Sequence, residues 1–339
     1  MTEFNKLPPI EDPTEIAIDH PYYALTPDHV LDAVEKIGLL PNGRFLALNS
    51  YENRVYQVGI EEQKPVVAKF YRPGRWSDEM IQEEHAFTIA LAAQEIPVVA
   101  PMVDTHGTSL HVFDGYRFAV YPSHGGRAPE FDDPEHLEWI GRFIGRIQQD
   151  EKFQYRHDLN IDRFAIEPIQ VILQKSKLPD YLRASYQTIT DELVAGIRHA
   201  YARAGTIRNV RVHGDCHPGN VLWTNSGPHF VDFDDTMMAP AIQDLWMMVS
   251  GDRQERALQL SILLEGYETF RDFNRNELHI LEALRAMRMI HYAAWLTLRW
   301  KDPAFPLNFP WFNTPAYWEQ HILSLREQVE IIAEPPLSI

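Results

Sequence analysis

The feature that most constrains this chain is a tight loop at residues 213–220, followed by an acidic segment at residues 231–235. The loop reads HGDCHPGN and the acidic segment reads VDFDD, about one hairpin's length of chain apart. Glycine and proline interrupt the loop, which predicts a turn between regular elements rather than a helix or a strand. The rest of the 339-residue chain must therefore support a loop that displays an aspartate and an asparagine five residues apart.

The residue types in this loop suit phosphoryl transfer. That reaction needs one carboxylate to orient the attacking hydroxyl and take its proton, and oxygen ligands to hold Mg²⁺ on the phosphates. Asp215 fits the first role, and Asn220 and Asp232 fit the second. Residues 221–223 and 229–231 are predicted to pair as strands, which returns Asp232 to the loop.

Two other chemistries can be read into the same loop. A metal site would use His213, Asp215, Cys216 and His217, but adjacent residues rarely all face one ion, and their spacing matches no common zinc pattern. A thiol nucleophile would pair Cys216 with His217, but neighbouring side chains point apart. A purely structural turn would leave the acidic residues unexplained. We therefore favour phosphoryl transfer and expect Cys216 to be a small packed thiol.

Composition excludes several classes of protein. The chain is 45% hydrophobic and 23% charged, which is typical of a soluble globular protein. Its 31 Lys and Arg against 48 Asp and Glu give a formal charge of −17, and such a surface repels nucleic acid. No apolar run approaches the roughly 18 residues that a membrane span needs. The single cysteine fits a reducing cytoplasm. We expect a cytoplasmic monomer with neither nucleic-acid nor membrane partners.

Residues 26–122 are predicted to form a small α+β lobe, preceded by a flexible arm at residues 1–25. The predicted elements are a helix at 27–38, strands on either side of a polar turn at 49–53, a strand at 65–71, a helix at 77–94 and a hairpin at 109–121. Lys69 lies in the apolar third strand, and the helix after it carries Glu83 and Glu84. Kinases place a phosphate-binding lysine and its acidic partner in this order.

A proline- and glycine-rich hinge is predicted at residues 123–127, and a mainly helical lobe at residues 128–339. Helices are predicted at 133–149, 180–204, 253–270 and 277–300. The last of these is apolar almost all round, as a core helix should be. The chain from residue 150 onward is interpreted as a variable connector. The aromatic, proline-rich segment 302–315 is predicted to be non-helical, either packing on the core or lining a substrate pocket.

Several stretches resemble the superfamily of aminoglycoside-phosphotransferase-like and choline-kinase-like enzymes. They are HGD-x-HPGN, VDFDD, VVAKFYRPGRW, NSYENRVY and RWKDPAFPLNFPW. The likeness runs from about residue 25 to residue 336 and is strongest for a branch of bacterial serine/threonine protein kinases of the stress response. It implies a bilobal, protein-kinase-like α+β fold, with a small β-rich N-lobe and a large, mainly helical C-lobe. It also implies ATP as co-substrate, Mg²⁺ and a protein substrate.

The resemblance implies roles for individual residues. Asp215 corresponds to the catalytic acid/base, and Asn220 and Asp232 to the Mg²⁺ ligands, Asp232 being catalytic through the metal. Lys69 corresponds to the phosphate-binding lysine, with Glu84 rather than Glu83 as its partner.

Three further positions follow from the same resemblance. Ser50 in the turn 49–53 and Tyr121 before the hinge are expected to contact the nucleotide, and Asp244 to brace the catalytic loop. The chain lacks the G-x-G-x-x-G loop of protein kinases, so the covering of phosphates by this turn is inferred from position alone.

Two other functions remain open. The same scaffold serves small-molecule kinases for aminoglycosides, choline or homoserine, and the acceptor pocket is expected from residues 150–205 and 301–317. A partner-binding pseudokinase is the second alternative. The intact set of Lys69, Asp215, Asn220 and Asp232 argues against a pseudokinase.

Overall fold

The computed structural model describes residues 21–131 and 133–339. They divide into two compact units. The first comprises the described part of residues 1–94 with residues 98–125 and 300–310, and the second comprises residues 95–97, 126–299 and 311–339. The inclusion of residues 300–310 in the first unit was not predicted from the sequence. The predicted arm lies outside the described residues up to residue 20, whereas Tyr22 is buried. Among the described helices, none has the length and apolar character to cross a bilayer.

The described residues contain nine strands and ten α-helices. The strands are β1 (Pro41–Ala47), β2 (Arg54–Ile60), β3 (Val66–Phe70), β4 (His111–Phe113), β5 (Tyr116–Pro122), β6 (Asn209–Val212), β7 (Val221–Thr224), β8 (Gly227–Phe230) and β9 (Met237–Pro240). The helices are α1 (Pro27–Lys36), α2 (Asp78–Ala93), α3 (Pro134–Ile147), α4 (Glu167–Lys175), α5 (Asp180–Ala204), α6 (Ile242–Trp246), α7 (Arg253–Tyr267), α8 (Leu281–Arg299), α9 (Ala304–Asn308) and α10 (Pro315–Ala333). This confirms the predicted mixture of a small antiparallel sheet and a larger helical part.

The first unit is built on a five-stranded antiparallel sheet in the order β1-β2-β3-β5-β4. The β4–β5 turn is formed by Asp114 and Gly115, both with positive φ, as a two-residue hairpin requires. On one sheet face, Ala68 and Phe70 of β3 pack in the cluster that also contains Val34 of α1. Because side chains alternate along a strand, Lys69 lies on the opposite face of the sheet.

Helix α2 begins where the sequence predicted, because Ser77 caps it by accepting a hydrogen bond from the N–H of Met80 at 3.3 Å. Its buried side includes Glu84, which is 1% exposed, together with the apolar Ile81 and Phe87. Glu83 lies off that buried side. The helix therefore places one carboxylate, not two, in the interior of the first unit.

The second unit is mainly helical. Helices α3 and α7 approach closely because two glycines of α3 face the α7 backbone. A Cβ on Gly141 would lie 2.0 Å from the carbonyl oxygen of Leu263, and one on Gly145 would lie 2.8 Å from that of Tyr267. Two short two-stranded sheets, β6–β9 and β7–β8, carry the loops predicted to be functional. Helix α8 has buried residues along its whole length, as predicted for a core helix.

Four helical segments differ from the sequence predictions. The predicted connector contains α4, and the segment 302–315, predicted to be non-helical, contains α9. Both predictions were wrong for one reason: Pro168 and Pro306 lie in first turns, where proline leaves no helical hydrogen bond unmade. The helix predicted at 277–300 begins with a 3₁₀ turn, and α8 starts at Leu281. Helix α10 was not predicted. The aromatic segment packs inward, since Phe305 and Phe312 are buried.

Candidate active site

The loop at residues 213–220 is held by a buried carboxylate. Strand β6 ends at Val212, and the next two backbone N–H groups, of His213 and Gly214, donate to Asp244 at 2.8 and 2.9 Å. Asp244 lies on α6 and is fully buried. Burial raises the pKa of Asp244, although His213 and the two N–H donors act in the opposite direction. Asp244 thus fixes the entry to the loop.

Gly214 is required by the shape of this loop. Its φ is +89°, and a Cβ there would lie 2.0 Å from the carbonyl oxygen of Asp235. Its own carbonyl accepts from the Gln243 side chain at 2.9 Å. The close approach brings the loop against residues 233–235, so the predicted motif and the acidic segment form one structure.

His213 joins the same two segments through its side chain and is not placed as a metal ligand. The ring is buried, its Nε2 lies 2.9 Å from the carbonyl oxygen of Val231, and it packs on Phe233 with ring centroids 4.3 Å apart. Within residues 21–131 and 133–339, no group of three or more His, Cys, Asp and Glu is arranged to bind a metal ion.

Asp215 displays its carboxylate from this braced loop. Arg288 of α8 donates to its Oδ1 at 2.7 Å, and the Nε2 of His217 lies 3.6 Å from its Oδ2. Burial alone would raise the pKa of Asp215, but Arg288, His217 and His213 together outweigh burial and leave that pKa below its usual value. The carboxylate is therefore ionised at neutral pH and able to accept a proton.

The β7–β8 hairpin brings Asn220 and Asp232 into neighbouring positions. Val221 pairs with Phe230, and the next pair outward is linked by a 3.0 Å bond from the N–H of Val231 to the carbonyl of Asn220. The hairpin was predicted, but its turn is tighter than expected, with β8 starting at Gly227. Asp232 follows at once, with a φ of 61° that aspartate tolerates better than most residues.

The side chain of Asn220 is oriented by the loop at residues 213–220 itself. Its Nδ2 donates to the carbonyl of Asp215 at 2.9 Å, while no described residue donates to its Oδ1. An amide oxygen and a nearby carboxylate are the hard oxygen donors that Mg²⁺ prefers, and Mg²⁺ commonly uses only one or two protein ligands when phosphates supply others. Asn220 and Asp232 fit such a site.

Cys216 is buried and forms no disulfide. Burial, followed by the charges of Asp244 and Asp215, raises the pKa of its thiol well above the usual value. A thiol of this kind is a poor nucleophile at neutral pH. The placement agrees with the packed-thiol interpretation.

Four predicted site residues belong to the first unit. Lys69 is 6% exposed and lies with its Nζ 5.3 Å from the ring centroid of Tyr71. The Tyr71 hydroxyl bonds to His85 of α2 at 2.7 Å and to the Tyr121 hydroxyl at 2.9 Å. The sheet face opposite the apolar cluster therefore gathers Lys69 and Tyr121, and Glu84 is buried one residue before His85.

The turn at residues 49–53 is held by arginine. Arg72 is 6% exposed and donates to the carbonyl of Glu52 at 3.0 Å, while its guanidinium pairs with the carboxylates of Glu52 and Asp302. The hydroxyl of Ser50 donates to the carbonyl of Asn53 at 3.1 Å. The carbonyls of the turn thus point toward their donors. No described residue accepts a hydrogen bond from the N–H of Ser50 or Tyr51.

Two residues of the candidate site, Arg288 and Asp302, were not predicted from the sequence. Arg288 gave only a faint signal, as a cation in an otherwise largely apolar helix. Asp302 gave none, because its partners Arg54 and Arg72 lie more than 200 positions away.

The chain is similar to known phosphotransferases and kinases over most of its length. Residues 44–281 match the model of a family described as the phosphotransferase enzyme family. The chain is 42% identical over 321 residues to "Stress response kinase A" of Escherichia coli O157:H7, covering 94% of this chain and 97% of that protein. It is 41% identical, with the same coverage, to "Serine/threonine protein kinase RdoA" of Salmonella typhimurium.

Solved structures show the same fold at lower sequence identity. An amicoumacin kinase in complex with AMP-PNP, Ca²⁺ and Ami has a TM-score of 0.68 at 20% identity, covering 90% of this chain and 93% of that one. A microcompartment-associated aminopropanol kinase has a TM-score of 0.69 at 15% identity, covering 89% and 95%.

Proposed function

This chain belongs to the phosphotransferase enzyme family, and from that premise we propose that it is an ATP- and Mg²⁺-dependent serine/threonine protein kinase of a stress response. The observation that carries the proposal is the catalytic loop, which presents the Asp215 carboxylate beside Asn220 on a backbone held by Asp244. The acceptor class rests on the relatives named stress response kinase A and serine/threonine protein kinase.

In the proposed reaction Asp215 orients the acceptor hydroxyl and receives its proton. The hydroxyl oxygen bonds to the γ-phosphorus of ATP, the bond from that phosphorus to the β–γ bridging oxygen breaks, and ADP leaves. Because Arg288 already donates to Oδ1, we assign the proton to Oδ2 of Asp215.

Asn220 and Asp232 are proposed to hold Mg²⁺, which would neutralise charge on the phosphates as they transfer. The side-chain oxygen of Asn220 is directed by the bond that its Nδ2 makes to Asp215. Asp232 immediately follows Val231, whose N–H donates to the carbonyl of Asn220. The register of the β7–β8 hairpin therefore places Asn220 and Asp232 close together.

The first unit is proposed to bind the nucleotide. Lys69 and Glu84 are buried charges of opposite sign, and buried charges need a partner, so we propose that Glu84 orients Lys69 toward the phosphates. The N–H groups of Ser50 and Tyr51 suit an anion, because consecutive N–H groups in a turn form an anion-binding nest. Tyr121 is proposed to lie beside the base.

The test is transfer of labelled phosphate from ATP by wild type and Asp215→Asn, with casein and a panel of amino alcohols as acceptors. We expect labelling of casein by wild type, and a loss of about 10²–10⁴-fold in kcat in the variant with ATP binding retained. Exclusive labelling of an amino alcohol would show a small-molecule kinase. ATP binding without turnover in wild type would show a pseudokinase, and an unchanged kcat in Asp215→Asn would remove Asp215 from the site.

A further inference from the structure

Arg288 contacts the Asp215 carboxylate from outside the loop and its motif. It projects from α8, more than 70 positions further along the chain, and donates from Nη1 to Oδ1 at 2.7 Å. Met287 and Ile290 on the same turn of α8 are buried in the second unit, which fixes the base of the Arg288 side chain, while 42% of that side chain is exposed.

A contribution to the stability of the fold is a poor explanation for this contact. The Arg288 side chain is 42% exposed and that of Asp215 is 26% exposed, and water screening makes the net contribution of such a pair to stability small. Helix α8 does not need it as an anchor either, since Leu284, Met287 and Ile290 of the same helix are buried in the second unit. A partly exposed ion pair that falls on the proposed catalytic carboxylate therefore calls for a chemical explanation.

The geometry gives the two oxygens of Asp215 different surroundings. Arg288 occupies Oδ1 with a direct hydrogen bond of 2.7 Å, whereas the Nε2 of His217 lies 3.6 Å from Oδ2, beyond hydrogen-bond distance. A guanidinium bond to one oxygen restricts rotation of the carboxylate and leaves the other oxygen as the acceptor. It also places a permanent positive charge beside an anion that must work next to phosphate.

We propose that Arg288 is a positioning residue for phosphoryl transfer, which clamps Asp215 through Oδ1 so that Oδ2 faces the acceptor hydroxyl. The inference rests on the proposed function and deepens it. Arg288 keeps its proton throughout, the hydroxyl proton moves to Oδ2, and the two side chains act as one unit.

The test compares Arg288→Met and Arg288→Lys with wild type in phosphate transfer from ATP to casein. The matched control is Arg142→Met, which removes an arginine of similar exposure that pairs with Glu138 on α3. We expect Arg288→Met to lower kcat by about 10²-fold with the KM for ATP within twofold, because misplacing a catalytic group acts on the rate of the step. Arg288→Lys should recover part of the rate, and Arg142→Met should retain it.

A double variant separates positioning from general damage. If Arg288 acts through Asp215, adding Arg288→Met to Asp215→Asn causes no further loss of kcat. If the two substitutions lowered kcat independently, so that their effects multiplied, the proposal would be overturned. A higher rate in Arg288→Met would reveal an inhibitory latch, and a raised KM for casein with intact kcat would reveal an acceptor contact; either result contradicts positioning.

The same experiment distinguishes this inference from the proposed function. An active wild type, an inactive Asp215→Asn and a fully active Arg288→Met would overturn only the role of Arg288. Equal rates in wild type and Asp215→Asn would overturn the proposed function and, with it, the positioning role of Arg288. Thermal unfolding of each variant, expected within 2 °C of wild type for Arg288→Met, excludes loss of the fold as the cause of a lower rate.

Discussion

The proposed catalytic loop at residues 213–220 and the turn at residues 49–53 hold irregular backbone in opposite ways. In the catalytic loop, backbone N–H groups donate to a carboxylate, that of Asp244. In the turn, backbone carbonyls accept from a guanidinium, that of Arg72. The first arrangement uses up N–H groups and the second uses up carbonyls.

This difference determines which ligands each region suits. With its N–H groups occupied, the catalytic loop offers side-chain oxygens, which suit a proton or a cation. With its carbonyls occupied, the turn retains N–H groups, which suit an anion. A phosphate cover without a glycine-rich motif becomes physically reasonable once the carbonyls are drawn to one side.

The two anchors also differ in how they depend on other residues. Asp244 accepts from backbone N–H groups within its own unit, and Gln148 donates a further bond at 3.3 Å. Arg72 carries a buried charge that needs two acidic side chains, Glu52 and Asp302. We expect the catalytic loop to fail as a whole when its anchor is lost, and the turn to weaken in steps.

The largest expected effect is that of Asp244→Ala. It leaves two buried N–H donors unpaired, at about 1–3 kcal/mol each, so the free energy of unfolding should fall by roughly 4 kcal/mol. The value of kcat should fall at least about 10²-fold as Asp215 shifts. Urea unfolding and phosphate transfer measure these effects.

The control for that variant is Asp252→Ala. Asp252 also accepts two backbone N–H bonds, at the exposed start of α7, and its loss should cost about 1 kcal/mol without changing kcat. Equal losses of stability and activity in both variants would show that Asp244 has no special relation to the loop.

The next effect is a dependence of stability on pH through Glu277, whose carboxylate accepts from the N–H of Ile242 at the start of α6. Burial raises the pKa of Glu277 to about 7. The folded state then holds more protons than the unfolded state between about pH 4.5 and pH 7, so this contribution to stability is complete below that window and is lost as pH rises through 7. The change is at most about 3 kcal/mol.

Urea unfolding at pH 5, 6, 7 and 8 tests the role of Glu277. The difference in unfolding free energy between wild type and Glu277→Gln should shrink or reverse as pH rises, because glutamine does not titrate. Parallel curves for the two proteins would contradict the assignment.

A smaller effect is expected for Asp302→Asn. Arg72 keeps Glu52, so the loss of stability should be about 2 kcal/mol. The KM for ATP should rise more than kcat falls, because the turn loosens while the catalytic loop is untouched. The control is Asp78→Asn, which weakens the exposed pair with Arg117 in the same unit. A fall in kcat alone would break the proposed contrast between the two regions.

The smallest effect is expected for Ser50→Ala, which removes one hydrogen bond within the turn. We expect a loss of about 1 kcal/mol or less and a kcat within twofold of wild type, since Arg72 still holds the turn. Thr224→Ala removes a comparable bond, 3.0 Å to the carbonyl of Gly227, from the β7–β8 turn and serves as control. A large rise in the KM for ATP in Ser50→Ala alone would assign the hydroxyl a direct role.

Much of the fold could be predicted because its signals are local. Thr26, Ser77 and Asp133 cap helices that begin where the sequence indicated, and Asp114-Gly115 marks its hairpin. The loop motif likewise predicted that Asn220 and Asp232 meet, because a hairpin of this length has few possible registers.

The remaining features depend on contacts distant in sequence. The pairings of Asp215 with Arg288 and of Arg72 with Asp302 join residues 73 and 230 positions apart, and no periodicity or turn signal encodes such distances. Helix α4 was missed for a local reason, because the proline in its first turn was interpreted as a break. Long-range charge pairing is therefore the part of the site that needed the structure.

The membership of residues 300–310 in the first unit has a consequence for synthesis. A ribosome releases the chain from its N-terminus, so the sheet and the turn emerge long before Asp302 does. Until Asp302 has been made, Arg72 lacks one of its two acidic partners. Burying the charge of Arg72 therefore costs more free energy at that stage than in the finished protein. The first unit to be made is therefore among the last to be finished, and a fragment ending at residue 125 should remain incompletely folded.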